Sequence, residues 1–201
     1  MTHRGVAILG STGSIGTTAL RVLARQGDRF RVSALTAYRN AALLEQQAAE
    51  FEPTFVGLVE HGAGSDPRWQ RGPSCLSQAC ARVVADIVLN SVVGSIGLDA
   101  TLAALECGKR VALANKESLV MGGHLVAAAA QRGGGEIVPV DSEHSAVLQC
   151  IAGRPGIEVR RIILTASGGP FREWSRDRLG AATVADALRH PTWSMGRKIT
   201  V

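Results

Sequence analysis

Short runs of β-branched and aliphatic residues alternate with helix-period segments from residue 6 onward, and no other feature limits the fold as strongly. An all-helical chain would lack the runs and an all-β chain would lack the helices, so the pattern predicts a parallel sheet built from βαβ units. The predicted order is strand 6–10, helix 14–26, strand 31–36, helix 40–50 and strand 54–59, then a Gly/Pro/Ser-rich loop over 61–74. A short helix near 75–81, strand 84–89, helix 98–107, strand 109–113, helix 116–131 and strand 136–140 follow. A sheet with its helices is complete by about residue 140. Beyond it come a helix over 142–151, a strand over 158–164, a glycine-bearing loop, a helix near 180–189 and an irregular tail, which together open a second domain. The tail turns strand-like at Lys198 to Val201 with no turn or cap, the pattern of a fragment of a longer polypeptide.

Composition narrows the class. With 46% hydrophobic and 19% charged residues the chain falls in the ordinary globular range, away from disordered and fibrous sequences. Its apolar runs fall short of the roughly 18 to 20 residues of a bilayer span, and the first begins at Val6, so neither membrane nor leader peptide is expected and the setting is cytoplasmic. The four cysteines, Cys75, Cys80, Cys107 and Cys150, form no zinc-like spacing and are expected as reduced core thiols. The net charge of +5 comes from scattered arginines with little aromatic interleaving, which favours a small anionic ligand over nucleic acid.

Six segments can carry chemistry. Gly10, Gly13 and Gly16 lie in GSTGSIG directly after the first strand and before an amphipathic helix. Glycines there allow a tight turn, and the helix start offers unpaired N–H groups to a pyrophosphate; a plain structural turn is the alternative. The second strand ends Thr36-Ala37-Tyr38-Arg39-Asn40, without the acidic residue that bonds the ribose of NAD. Arg39 could instead take a 2′-phosphate, which favours NADP(H), or be merely solvated. Asn115, Lys116 and Glu117 stand at a strand end where open sheets place ligand groups, or are ordinary first-turn residues of a helix. In Pro139-Val140-Asp141-Ser142-Glu143-His144, extended alternation would put Asp141 and Glu143 on one side as hard donors for Mg2+ or Mn2+ and turn His144 away. Acids favoured by a helix dipole explain the same residues. Thr165 to Phe171 groups hydroxyls and amides suited to phosphate, and His190 to Lys198 is either a lid or a terminal segment packing on other chain.

GSTGSIG, ANKESLV, PVDSEH, LTASGGPFRE and HPTWSMGRKI, in this order and spacing, resemble the 1-deoxy-D-xylulose 5-phosphate reductoisomerase family of the non-mevalonate isoprenoid pathway. The resemblance runs from about Gly5 to Val201 and is weak over 61–74. It implies an α/β fold: a Rossmann-like doubly wound parallel sheet that binds NADPH (1–140), followed by the start of an α+β catalytic domain (141–201). It further implies NADPH contacts at Thr12, Gly13, Ser14 and Ile15, at Tyr38, Arg39 and Asn40 around the 2′-phosphate, at Asn115 and Glu117, and at Gly196. Asp141 and Glu143 would bind the metal, Mn2+ or Mg2+ with Co2+ as a third candidate; Lys116, Ser142, Glu143, Ser167 and His190 would bind the phosphorylated sugar. Lys116, Asp141, Glu143 and His190 form the implied catalytic set, and Trp193 and Met195 the lid. The implied reaction is a metal-assisted rearrangement followed by hydride reduction to 2-C-methyl-D-erythritol 4-phosphate, in a full-length homodimer. In the family, further phosphate ligands and a third metal carboxylate follow the last of these motifs, so the resemblance alone does not assign turnover to 201 residues. Two other readings stay open: another NADP-dependent dehydrogenase, such as a semialdehyde dehydrogenase, and a cofactor-binding module without catalysis.

Overall fold

The computed structural model describes residues 3–60, 66–165 and 168–190, in two compact units, Met1–Ala152 and Gly153–Val201. The first unit holds a seven-stranded, wholly parallel sheet: β1 (Arg4–Leu9), β2 (Phe30–Ala37), β3 (Phe55–Leu58), β4 (Gln70–Arg71), β5 (Ile87–Asn90), β6 (Arg110–Leu113) and β7 (Glu136–Pro139). Its order, β4-β3-β2-β1-β5-β6-β7, reverses direction between β1 and β5, and such a switch point leaves a crevice at the strand C-termini.

Period-two alternation explains why β1 reads as one apolar run. Ala7 and Leu9 face a core shared with α3 (Cys75–Ala81), α4 (Gly97–Glu106) and α5 (Lys116–Gly133), while Val6 and Ile8 face α1 (Ser14–Ala24) and α2 (Ala41–Phe51). Both faces are covered, so both sets are buried. Close packing shows at Gly16, where a Cβ would sit 2.4 Å from the Gly10 carbonyl oxygen, and at Gly133, where it would sit 2.2 Å from that of Leu105. These two glycines let α1 and α5 approach neighbouring backbone. The fold class is therefore the Rossmann-like doubly wound sheet expected from the sequence.

Local differences have physical causes. The two-residue β4 forms inside the predicted 61–74 loop, because the exposed edge of β3 offers it a pairing partner. β5 begins at Ile87 rather than 84: Val84 is exposed, and Asp86 ties this entry to β1 through its carboxylate on the Gly5 N–H at 2.7 Å. Cys75 and Cys80 are core thiols as expected, but Cys107, at the end of α4, and Cys150, in the last turn of α6 (Ser142–Ile151), are exposed. α6 packs on β7 and belongs to the first unit.

The second unit has a 3-10 turn (Gly156–Glu158), α7 (Arg176–Leu179) and α8 (Val184–Ala187). The strand expected over 158–164 does not form among the described residues; Ile162, Ile163 and Leu164 are exposed, and an isolated strand leaves its N–H and C=O groups to water. The helix expected near 180–189 shortens to α8, started by a capping box between Thr183 and Asp186. Phe171 and Trp174 meet edge to face with centroids 4.9 Å apart, and the Arg178 guanidinium lies 3.8 Å from the Trp174 ring centre.

Candidate functional site

The crest of the sheet gathers most of the expected residues. β1 ends at Gly10, whose φ of +82° suits glycine, and the Gly10 and Ser11 N–H groups both donate to the Thr36 carbonyl at 3.0 and 2.8 Å. The chain then turns through Gly13 into α1. Gly13 is the N-cap of α1 and has no side chain to satisfy the first-turn amides, and no acid occupies that turn. The helix start therefore presents donors and its positive dipole end together. These groups open onto a cleft of about 460 Å3 between the glycine turn, the Tyr38-Arg39-Asn40 segment after β2 and the Ser91 to Ile96 loop after β5.

The cleft has a mixed lining. Ala37, Val59, Leu76, Val92 and Ile96 give it an apolar lining suited to an aromatic base, while Thr12, Arg39 and Asn40 supply polar groups. Of the expected cofactor residues, Thr12, Gly13, Tyr38, Arg39 and Asn40 line it; Ser14 and Ile15 follow on the first turn of α1. Asn40 also caps α2, its side-chain oxygen accepting from the Leu43 N–H at 3.2 Å. Glu60, ending the segment beyond β3, raises the Tyr38 phenol above its ordinary value through hydrogen bonding and charge.

Asn115 and Glu117 act on the Ser91 to Ile96 loop. The Asn115 amide is buried and donates to the carbonyls of Val92 and Gly94 at 3.0 and 2.9 Å and to the Glu117 carboxylate at 3.2 Å, while its oxygen accepts from Ser118. Glu117 in turn accepts from the Gly94 N–H at 3.2 Å. Gly97 sits so close that a Cβ would lie 2.7 Å from the Asn115 amide carbon. Both residues expected to touch a cofactor thus hold the loop that walls the cleft.

β6 and β7 are neighbours, with Leu113 opposite Pro139, which brings Lys116 and Asp141 together beyond their ends. The Lys116 ammonium lies 2.8 Å from one Asp141 carboxylate oxygen, and His144 Nδ1 lies 3.2 Å from the other. Lys116 holds the Asp141 carboxyl below the usual aspartate range, with smaller contributions from His144 and from a hydrogen bond with Glu143. The extended alternation expected through this motif is corrected: β7 ends at Pro139 and α6 starts at Ser142, so Asp141 is an N-cap and His144 lies three residues on, turned toward it. Helical i,i+3 spacing, applied from Asp141, is the signal that finds His144. Ser142 donates to the Glu143 carboxylate at 2.7 Å. Among the described residues no group of three His, Cys, Asp or Glu converges to hold a metal. His190 belongs to the second unit, while Ser167, Trp193, Met195 and Gly196 lie outside the described residues. Sequence reasoning assigned no role to Ser91, which ties β5 to β1 through its hydroxyl on the Leu9 carbonyl at 2.7 Å, nor to the apolar cleft wall.

A parallel sheet with a glycine turn at its switch point, a donor-bearing helix start and a cleft at the strand ends defines the Rossmann class of dinucleotide-binding folds. The sequence model of 1-deoxy-D-xylulose 5-phosphate reductoisomerase matches residues 6–123, and that of the same enzyme's C-terminal domain matches 137–201. The chain belongs to the 1-deoxy-D-xylulose 5-phosphate reductoisomerase family. It is 46% identical over 206 residues to the reductoisomerase of Halalkalibacterium halodurans, covering 98% of this chain and 54% of that protein. The Zymomonas mobilis reductoisomerase in complex with NADPH superposes with a TM-score of 0.85 at 40% identity, over 94% of this chain and 52% of the other. A reductoisomerase in complex with NADPH, fosmidomycin and magnesium does so with 0.87 at 37% identity, over 98% and 53%. The chain spans about half the length of the curated relatives it matches.

Proposed function

We propose that this chain carries the NADPH site and part of the metal and substrate site of an enzyme that rearranges and reduces 1-deoxy-D-xylulose 5-phosphate to 2-C-methyl-D-erythritol 4-phosphate. The uncapped start of α1, opening beside Arg39 into the cleft at the switch point, carries this reading. The helix-start amides of Ser14 and Ile15 suit the pyrophosphate, the apolar wall suits the adenine, and Arg39 with Asn40 suits the 2′-phosphate. Asn115 and Glu117 keep the Ser91 to Ile96 loop in place, where it would stand beside the nicotinamide. NADPH, when bound, supplies the hydride.

Asp141, the N-cap of α6, and Glu143, in its first turn, are hard oxygen donors two residues apart, the donor chemistry a Mg2+ or Mn2+ ion requires. Such an ion supplies Lewis-acid polarisation of the substrate's oxygens. Lys116 and Ser142 stand at the same crest to orient the sugar, and Ser167 and His190 complete the proposed substrate set. The division of labour, cofactor over 1–140 and metal with substrate over 141–201, belongs to the same proposal and is supported by the two family matches at 6–123 and 137–201. So do the homodimer and the cytoplasmic setting of the whole protein.

The test is to titrate the purified chain with NADPH by fluorescence and then follow NADPH absorbance with 1-deoxy-D-xylulose 5-phosphate and Mn2+. Binding is expected, and metal-dependent oxidation establishes the full reaction. No binding of either nicotinamide dinucleotide overturns the cofactor reading; binding without oxidation under any divalent ion favours a cofactor-binding module.

A further inference from the structure

Asp141 departs from the usual behaviour of an aspartate at a helix start. An N-cap aspartate normally accepts from amides of its own first turn. Here its carboxylate, only 16% exposed, turns instead to Lys116 on one oxygen and His144 on the other. Both oxygens therefore already have partners supplied by this chain. The stronger of these, the 2.8 Å ion pair, joins two residues that the proposed function gives to different ligands, Asp141 to the metal and Lys116 to the substrate.

From this juxtaposition we infer that Lys116 and the divalent ion exchange on Asp141: the ammonium is the resident counter-ion of the carboxylate, and metal binding releases it toward the substrate. A divalent ion binds a carboxylate oxygen at about 2.0–2.6 Å. An ammonium 2.8 Å from the same oxygen would then lie within a few ångströms of the ion, and at that range two cations in a partly buried site repel strongly. Lys116 is 55% exposed and on a flexible four-carbon stem, so it can swing away while Asp141 stays fixed at the β7–α6 junction. The exchange couples the two ligands. Metal arrival frees a cation for an anionic or carbonyl-bearing substrate, and before that Lys116 keeps Asp141 neutralised. This inference rests on the metal reading of Asp141 and Glu143 given above.

The test measures Mn2+ binding to the whole chain, without substrate, from the loss of the free-ion electron paramagnetic resonance signal. Lys116→Met, which keeps the length and removes the charge, is expected to tighten Mn2+ by about fivefold to tenfold. Lys116→Arg keeps the competing charge and should bind like the parent. In the unmodified chain, amine labelling of Lys116, read by mass spectrometry, should rise on adding Mn2+, a measurement that does not depend on any variant folding. Equal Mn2+ affinity in the parent and Lys116→Met, with binding lost in Asp141→Asn, overturns the exchange and leaves the metal site standing. Labelling that ignores Mn2+ overturns it likewise. Mn2+ binding absent from both chains, or unaffected by Asp141→Asn, overturns the metal reading and the exchange with it.

Discussion

Gly16 and Arg39 show how single residues set the cleft at the strand ends. A methyl group on residue 16 would meet the Gly10 carbonyl at 2.4 Å, a clash with backbone that cannot rotate aside. Gly16→Ala is therefore expected to destabilise the fold by about 1–3 kcal/mol and to open the glycine turn, seen as a lower denaturant midpoint and weaker NADPH binding. Arg39→Asp leaves the turn intact and removes the cation proposed for the 2′-phosphate. NADPH affinity should fall by about tenfold to a hundredfold while NADH changes little, and parallel titrations with unchanged discrimination would remove Arg39 from that role. Burial pushes the Cys75 and Cys80 thiols up to about 11 and about 12, so both stay protonated and covered near neutrality. A disulfide reagent at pH 8 should titrate Cys107 and Cys150 in the folded chain and all four cysteines after denaturation. Glycine positions and the absence of an acid after β2 are legible one residue at a time. The pairing of Asp141 with Lys116 and His144 is not, because it depends on where a strand stops and a helix starts.

At the scale of elements, caps and edges decided what periodicity left open. α8 is a single turn started by the reciprocal bonds of Thr183 and Asp186, and the Thr183 hydroxyl and backbone N–H hold the Asp186 carboxyl below its ordinary range. A depressed carboxyl stabilises the folded form above the unfolded pKa of about 3.9 and loses that contribution as pH falls through the lower folded value. The protection factor of the Asp186 amide, its exchange rate relative to the intrinsic base-catalysed rate at each pH, should thus be largest near neutrality and fall in acid, and Thr183→Ala should remove the difference. The same logic explains two departures from expectation. β4 forms over the two residues Gln70 and Arg71 because β3 has an edge to pair with, whereas residues 158–164, far richer in strand-forming side chains, pair with no strand among the described residues. Strand propensity is a preference for a surface to pack on, and local sequence does not say whether that surface is there.

Across the whole molecule, the site lies on the C-terminal edge of one sheet, so the first unit should hold the cofactor by itself. A chain ending at Ala152 keeps every described lining residue of the cleft. It is expected to fold and to bind NADPH within about tenfold of the 201-residue chain, by the same fluorescence titration. Loss of binding on that truncation would place essential contacts in residues 153–201. The amino-acid sequence by itself determined the alternation of strands and helices, the parallel sheet with both faces covered, the glycine turn and the family, because these follow from periodicity and from short contiguous motifs. Only the tertiary structure decided that Asn115 and Glu117 brace the Ser91 to Ile96 loop, that Val59, Leu76, Val92 and Ile96 line one cleft with Arg39, and that Lys116 sits on Asp141. Each of these contacts joins residues from different strand ends. Strand order in a sheet is set by packing both faces at once, which no local stretch of sequence encodes.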